Sequence, residues 1–154
     1  MTNDLLIHEP LPPGDLLAEW RWKVGGAATL LHVSRSGDAF GTHPDGHVWW
    51  LDTGGGELAE VAGSVTAFEA LINDAAVAAR LLLSPVVMEF VRLHGPFPVG
   101  RCLGYTMLPV LGGTYTVENR WLAPIHEHFG VTGELHRQLR DFPDGTPVQI
   151  RLLE

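Results

Sequence analysis

Short apolar segments separated by tight turns fill residues 36–61, and they limit the fold more than any other feature of this chain. Pro44-Asp45-Gly46 places proline at the first corner of a turn and glycine where a positive φ is favoured. Gly54-Gly55-Gly56 interrupts the chain a second time. The segments around these turns, residues 38–42, 47–52 and 57–61, have the length of short strands. Consecutive strands joined by tight turns pair antiparallel, so the sequence predicts a β-meander.

Alternation along residues 47–52 assigns side chains to two faces of that meander. His47, Trp49 and Leu51 share one face, and Val48, Trp50 and Asp52 share the other. Trp49 with Leu51 is the better pair for a core. Trp50, beside Asp52, is the better candidate for a surface aromatic.

Three consecutive helices are predicted after the meander. Each begins at a residue whose side chain can accept a free backbone N–H: Ser64 before residues 65–72, Asn73 or Asp74 before residues 75–83, and Ser84 before a helix with Pro85 in its first turn that stops at Gly95.

The remaining segments complete an α+β pattern. The sequence predicts a two-turn helix over residues 15–22 and a strand over residues 27–33. Further along the chain, it predicts an extended segment over 101–108, a strand over 116–124 and a helix over 132–142. The alternation of Val148, Ile150 and Leu152 predicts a C-terminal strand. This order is not a parallel βαβ array. We therefore expect a single compact α+β domain: an antiparallel β-meander, a helical segment and a C-terminal strand–helix–strand. Residues 1–35 form a lead-in packed on the domain of residues 36–154.

The negative charge of the chain is local. Ten Lys and Arg against 18 Asp and Glu give a net charge of −8. Residues 36–79, the acidic segment, contain no Lys or Arg and seven acidic residues: Asp38, Asp45, Asp52, Glu57, Glu60, Glu69 and Asp74. Such a segment repels phosphates, so we expect no direct nucleic-acid partner. It is either a solubilising face or a surface for a basic partner.

Other function classes find little support. No run approaches the roughly 18 apolar residues of a membrane span, and the first ten residues lack the positive charge that begins a signal peptide. The single cysteine, Cys102, allows no internal disulfide, lies in an apolar segment and is expected to be a buried hydrophobe rather than a nucleophile. We expect no cofactor and a cytoplasmic location.

Eight histidines raise the alternative of a metal site or a small enzyme. His126 and His128 would share one face of a strand, and His136 follows eight residues after His128. His43 and His47 flank a predicted hairpin turn. A zinc site needs three or four converging ligands, and neither a Cys pair nor an HExxH motif is present. We therefore expect no bound metal, and convergence of His126, His128 and His136 is the observation that would support one.

One segment has the form of a family signature, Cys-x-Gly-Tyr-x-x-x-Pro-x-Leu-Gly-Gly-x-x-x-x-Glu-Asn, over residues 102–119. It resembles that of the bacterial domain family of immunity proteins that neutralise type VI secretion DNase effectors. Residues 37–40, 45–49, 51–54 and 133–146 are also similar to that family, so the resemblance runs from about residue 36 to residue 150. It implies an α+β fold similar to small SMI/KNR-like immunity domains, and a protein that binds a toxin and blocks it.

Two hypotheses follow, with a structural or self-associating module as a third. The first is a non-catalytic cytoplasmic immunity protein that binds a basic toxin, such as a nuclease, through its acidic surface. The anchors of protein interfaces are often aromatic, so we expect the partner-binding residues to be Asp45, Trp50, Asp52, Glu57 and Glu60. The second is the metal-binding protein or enzyme that uses the histidines. Oligomeric state stays open.

Overall fold

The computed structural model describes residues 2–142 and Gly145. Its helices are α1 (Thr2–Leu5), α2 (Arg21–Val24), α3 (Val65–Leu71), α4 (Ala75–Leu81), α5 (Ser84–His94) and α6 (Ile125–Leu139). Its strands are β1 (Thr29–Val33), β2 (Ala39–Thr42), β3 (Val48–Asp52), β4 (Glu57–Ala62), β5 (Arg101–Tyr105) and β6 (Arg120–Pro124). Short 3₁₀ helices cover Ala18–Trp20, Pro109–Leu111 and Val117–Asn119. The predicted α+β class is confirmed.

Four strands form an antiparallel sheet in the order β1-β2-β3-β4. The three predicted meander strands are β2, β3 and β4, and β1, from the lead-in, pairs with β2 at one edge. β5 and β6 form a separate antiparallel pair.

Both faces of the four-stranded sheet are covered by apolar side chains, and this divides the core in two. On one face, Trp49 and Leu51 pack with Trp20 and with Phe129 of α6. On the other face, Phe40 and Val48 pack with a set from α3, α4 and α5: Phe68, Leu81, Val87 and Phe90. The predicted core pair of Trp49 and Leu51 is therefore confirmed, and their side chains are almost completely buried.

Two of the three helix starts are as predicted. The Ser64 side chain accepts the Ala67 N–H, and the Asp74 side chain accepts the N–H groups of Ala76 and Val77. The prediction for Ser84 is wrong, because Ser84 is the first residue of α5 and Leu83 precedes it with a left-handed φ of 48° and no side-chain cap.

The prediction of a helix only from residue 132 is also wrong, because α6 already begins at Ile125. In place of the predicted helix over residues 15–22 there is a 3₁₀ turn that continues into α2. The predicted strand with Val148, Ile150 and Leu152 lies outside the described residues. Within residues 2–142 and Gly145, no helix is long and apolar enough to cross a membrane.

Candidate partner-binding site

The five predicted partner-binding residues do not form one patch; they divide along the β3–β4 hairpin. Asp45 and Glu60 are exposed and lie at the end where β3 begins. His47 lies between them, with Nδ1 2.7 Å from Asp45 Oδ2 and 3.3 Å from Glu60 Oε1. Hydrogen bonds from His47 lower the pKa of Asp45, and the same contact with Asp45 raises the pKa of His47. One imidazole thus partly offsets two carboxylates in this group.

Asp52 and Glu57 are paired across the hairpin at its other end. Asp52 is half-buried because its side chain is used within the protein. Its Oδ1 accepts the N–H groups of Gly54 and Gly55, and its Oδ2 accepts the Tyr115 hydroxyl at 2.8 Å. Glu57 is exposed. Only Glu57 of this second group therefore presents an open carboxylate.

Trp50 is not the surface aromatic that the sequence predicted. It is half-buried, packs against the second core cluster, and donates its indole N–H to Asp38 Oδ2 at 3.0 Å. The reason is that helices cover the face of the sheet that was expected to meet solvent. Trp50 can contribute to a partner surface only through the part of its ring that stays accessible.

A polar cluster that sequence analysis missed lies between the meander and α6. It consists of Asp38, Thr53, His128 and the carbonyl of Gly37. Thr53 donates its hydroxyl to the Gly37 oxygen at 2.8 Å, and its backbone N–H to Asp38 Oδ1 at 3.0 Å. His128 Nε2 lies 2.8 Å from that same Gly37 oxygen and 3.0 Å from the Thr53 hydroxyl. Three segments far apart in the chain are joined here by short contacts.

Burial sets the protonation states in this cluster. Asp38 is 1% exposed, and burial, with the nearby Asp52 carboxylate, raises its pKa to about 7. Burial lowers the pKa of His128 to about 4. Neutral His128 therefore holds its proton on Nε2, since the facing Gly37 carbonyl can only accept a hydrogen bond. His136 behaves alike: its Nε2 donates to the Thr53 carbonyl at 2.9 Å, and burial lowers its pKa.

Arg120 connects the β5–β6 pair to this cluster. Its guanidinium is buried and donates to backbone carbonyls of four residues: Ser36, Leu103, Gly104 and Tyr115. It also lies 3.9 Å from the ring centroid of Tyr105. The charge lowers the pKa of Asp38 and so opposes the effect of burial there. The contacts of Arg120 therefore indicate a structural role.

The histidines proposed as metal ligands do not converge. His126 is exposed on α6, whereas His128 and His136 are buried and contact backbone carbonyls. Among the described residues there is no group of three His, Cys, Asp or Glu side chains that could hold a metal ion. Cys102 is fully buried on β5, and burial raises the pKa of its thiol to about 12. Its expected character as a buried hydrophobe is confirmed.

A groove of about 400 Å³ opens beside the β5–β6 pair. Its floor is formed by Gly104, Trp121 and Ala123: Trp121 pairs with Gly104 across the two strands, and Ala123 lies two residues further on the same face of β6. One wall is the α6 row of Glu127, Val131 and Leu135. The other wall is the loop after β5, with Met107, Leu108 and Leu111. Trp121 is 46% exposed and Met107 is 53% exposed. Exposed Trp and Met at an apolar concavity are typical of interaction surfaces.

The comparisons with known proteins give one match to a family model. Residues 62–136 match the family model of the T6SS immunity protein Tdi1, C-terminal. This confirms the resemblance to the type VI secretion immunity family, over a shorter segment than residues 36–150. The matched segment includes the whole groove and the buried Arg120 and His128, whereas all five predicted partner-binding residues precede it.

No curated protein matches the chain. Among solved structures, the crystal structure of Atu4351 from Agrobacterium tumefaciens is similar, with a TM-score of 0.51 and 13% sequence identity. The superposition covers 76% of this chain and 62% of that chain. The chain thus spans less than two thirds of that protein, and at this identity the likeness shows the fold alone.

Proposed function

We propose that this chain, whose residues 62–136 match the type VI secretion immunity family, is a non-catalytic protein that binds and neutralises a secreted toxin. The family match is the observation that carries the proposal. The toxin we expect is basic, with a nuclease as the leading class. We propose a cytoplasmic location, because that is where a nuclease meets DNA.

Exposed carboxylates of the acidic segment support a basic partner. Of the seven acidic residues in the acidic segment, Asp38 and Asp52 are buried or half-buried and the other five are exposed. The described salt bridges to arginine involve carboxylates outside that segment: Glu9, Asp15, Glu89, Glu134 and Asp141. Exposed charge without an internal counter-ion is free to attract an oppositely charged partner and to speed its association. Glu57 is therefore the most available of the predicted partner-binding carboxylates, and Asp45 and Glu60 keep the charge that His47 does not offset.

The internal use of the perturbed side chains supports a role without catalysis. Asp38, His128 and His136 have pKa values shifted by burial, as active-site groups often have. Each of them, however, contacts groups of the protein itself. They stabilise the junction of the meander and α6.

The experiment that tests the proposal is protection from a candidate toxin, taken from the proteins encoded beside this chain's gene. The toxin domain is expressed in a bacterial host with and without this chain, and growth and chromosomal DNA are followed. We expect the chain to restore growth and to co-purify with the toxin domain. Toxicity that persists at equal expression of the soluble chain would overturn the proposal.

A further inference from the structure

The groove between β5–β6 and α6 owes its depth to two small residues on its floor. A Cβ atom at Gly104 would lie 2.9 Å from Ala123 Cβ and 3.0 Å from Trp121 Nε1. The Trp121 indole therefore lies close to the Gly104 backbone, in space that a larger residue at position 104 would fill. Its N–H donates to the Tyr105 carbonyl at 3.3 Å, which fixes the orientation of the ring. The floor thus carries an aromatic ring that is held in place and is 46% exposed.

Glu127 is the charged side chain among the described residues that line this groove. It is exposed, lies in the first turn of α6, and forms none of the described salt bridges. Val131 and Leu135 follow it along the same face of α6. The groove therefore combines an aromatic platform, aliphatic walls and one carboxylate.

We propose that this groove receives an arginine side chain from a protein partner, with the guanidinium stacked on Trp121 and paired with Glu127. The identity of that partner as a toxin rests on the proposed function; the chemistry of the groove does not. Arginine fits because its planar guanidinium stacks on aromatic rings and pairs with carboxylates, while its methylene stem contacts apolar walls.

Other occupants fit the groove less well. An apolar side chain would remove water from Glu127 without giving that carboxylate a partner, which is unfavourable. A phosphate-bearing ligand would meet the same carboxylate and repulsion from the net charge of −8. A volume of about 400 Å³ lies near the lower limit of small-molecule sites, roughly 300–1,000 Å³, and suits one or two protein side chains.

The three methionines allow a test that needs no toxin. Met107 lies in the groove wall, whereas Met88 lies on α5, is 65% exposed and provides an internal control. The full chain, labelled at the methionine methyl groups, is titrated by NMR with acetyl-Gly-Arg-Gly-amide. The same peptide with citrulline, which is nearly isosteric with arginine and uncharged, is the matched ligand. We expect a saturable shift of Met107, on the order of millimolar affinity, and no comparable shift of Met88.

Two variants decide the roles of the residues. Glu127→Gln is expected to weaken binding of the arginine peptide roughly three- to tenfold and to leave the affinity for the citrulline peptide unchanged. Glu118→Gln, an exposed change outside the groove, is expected to leave both unchanged. The proposal is overturned if Met107 shows no saturable shift, if Met88 shifts equally, or if Glu127→Gln binds arginine as tightly as the native chain.

The test of the groove and the test of the proposed function can succeed or fail independently. An arginine peptide that binds at Met107 while the neighbouring toxin does not bind overturns the proposed function and supports the groove. A toxin that binds while the peptide does not supports the function and overturns the groove.

Discussion

The hydroxyl of Thr53 lies 3.0 Å from Nε2 of His128, 75 residues further along the chain. This contact joins the turn after β3 to α6. His128 lies in the segment that matches the immunity family, and Thr53 lies before it. The meander, with its exposed carboxylates, is therefore held to the matched segment through a buried polar contact as well as through the core. A change at His128 is expected to affect both parts.

His128 makes stability depend on pH below neutrality. Its pKa falls from 6.5 to about 4 on folding because of burial. A group whose pKa is depressed in the folded state stabilises the fold above its unfolded pKa, and that contribution is lost as the pH falls towards the folded value. We expect His128 alone to contribute a loss of roughly 3 kcal/mol of unfolding free energy between pH 6.5 and 4, measured as the difference from a variant that does not titrate at this position. Urea denaturation across this range checks it.

The matched variant is His128→Gln, which keeps a donor for Gly37 but does not titrate. The free energy of unfolding of the native chain relative to this variant should fall between pH 6.5 and 4. Parallel curves for the two proteins would show that His128 carries no such contribution.

Asp38 has the opposite pH dependence in an overlapping range. Burial raises its pKa from 3.8 to about 7, so the folded state binds a proton more tightly than the unfolded state. Stability from this group is present below pH 3.8 and is lost as the pH rises to about 7. In Asp38→Asn the amide oxygen can still accept the Thr53 N–H, whereas the amide NH₂ group faces the Trp50 N–H. The asparagine side chain does not titrate. The native chain should therefore lose stability relative to this variant from pH 4 to 7, as measured by urea denaturation. If the stability of the native chain relative to Asp38→Asn stayed constant or rose from pH 4 to 7, the raised pKa of Asp38 would be contradicted.

Gly41 is required by the packing of the sheet. A Cβ atom there would overlap the indole of Trp49 and the backbone oxygen of Thr29 on β1. We expect Gly41→Ala to reduce the free energy of unfolding by about 2 kcal/mol or more. Gly26→Ala is the control, because no atom lies within 4 Å of its Cβ position, and it should change stability by less than about 0.5 kcal/mol. Equal thermal midpoints for the two variants would refute this account of the sheet.

Under the proposed function, association with a toxin should depend on the exposed carboxylates of β4. The double variant Glu57→Lys and Glu60→Lys should reduce the association rate about tenfold or more at low salt, because it reverses the charge that attracts a basic partner. The difference should shrink as salt screens the charges. Stopped-flow or biosensor kinetics provide the measurement.

Glu118→Lys with Asp141→Lys is the matched control, since both residues are exposed, lie outside the acidic segment and change net charge equally. Equal slowing by the two double variants would assign the effect to net charge rather than to the β4 carboxylates.

Local patterns in the sequence were sufficient for most of the secondary structure. Turn residues and period-two alternation located β2, β3 and β4, and the side chains of Ser64 and Asp74 marked the starts of two helices. The start of α6 was missed because Pro124 precedes it and Gly130 and Val131 weaken the helical pattern. Alternation also cannot show that helices cover the second face of a sheet, and this is why Trp50 was misplaced.

The candidate sites depend on contacts between distant segments, which one sequence does not contain. Asp38 and Thr53 precede the matched residues 62–136 and were noted only for an expected resemblance, and His128 was named only as a metal ligand. Their association arises from the antiparallel pairing of β2 with β3 and from α6 packing on the sheet. The groove likewise exists because β6 places Trp121 opposite Gly104.

The most direct test of the central claim is calorimetric titration of the full chain with a candidate toxin domain taken from the proteins encoded next to its gene. The account predicts a saturable complex with a dissociation constant of micromolar or below, together with loss of the toxin's activity in the same samples. Absence of binding at micromolar concentrations of two folded proteins would contradict it.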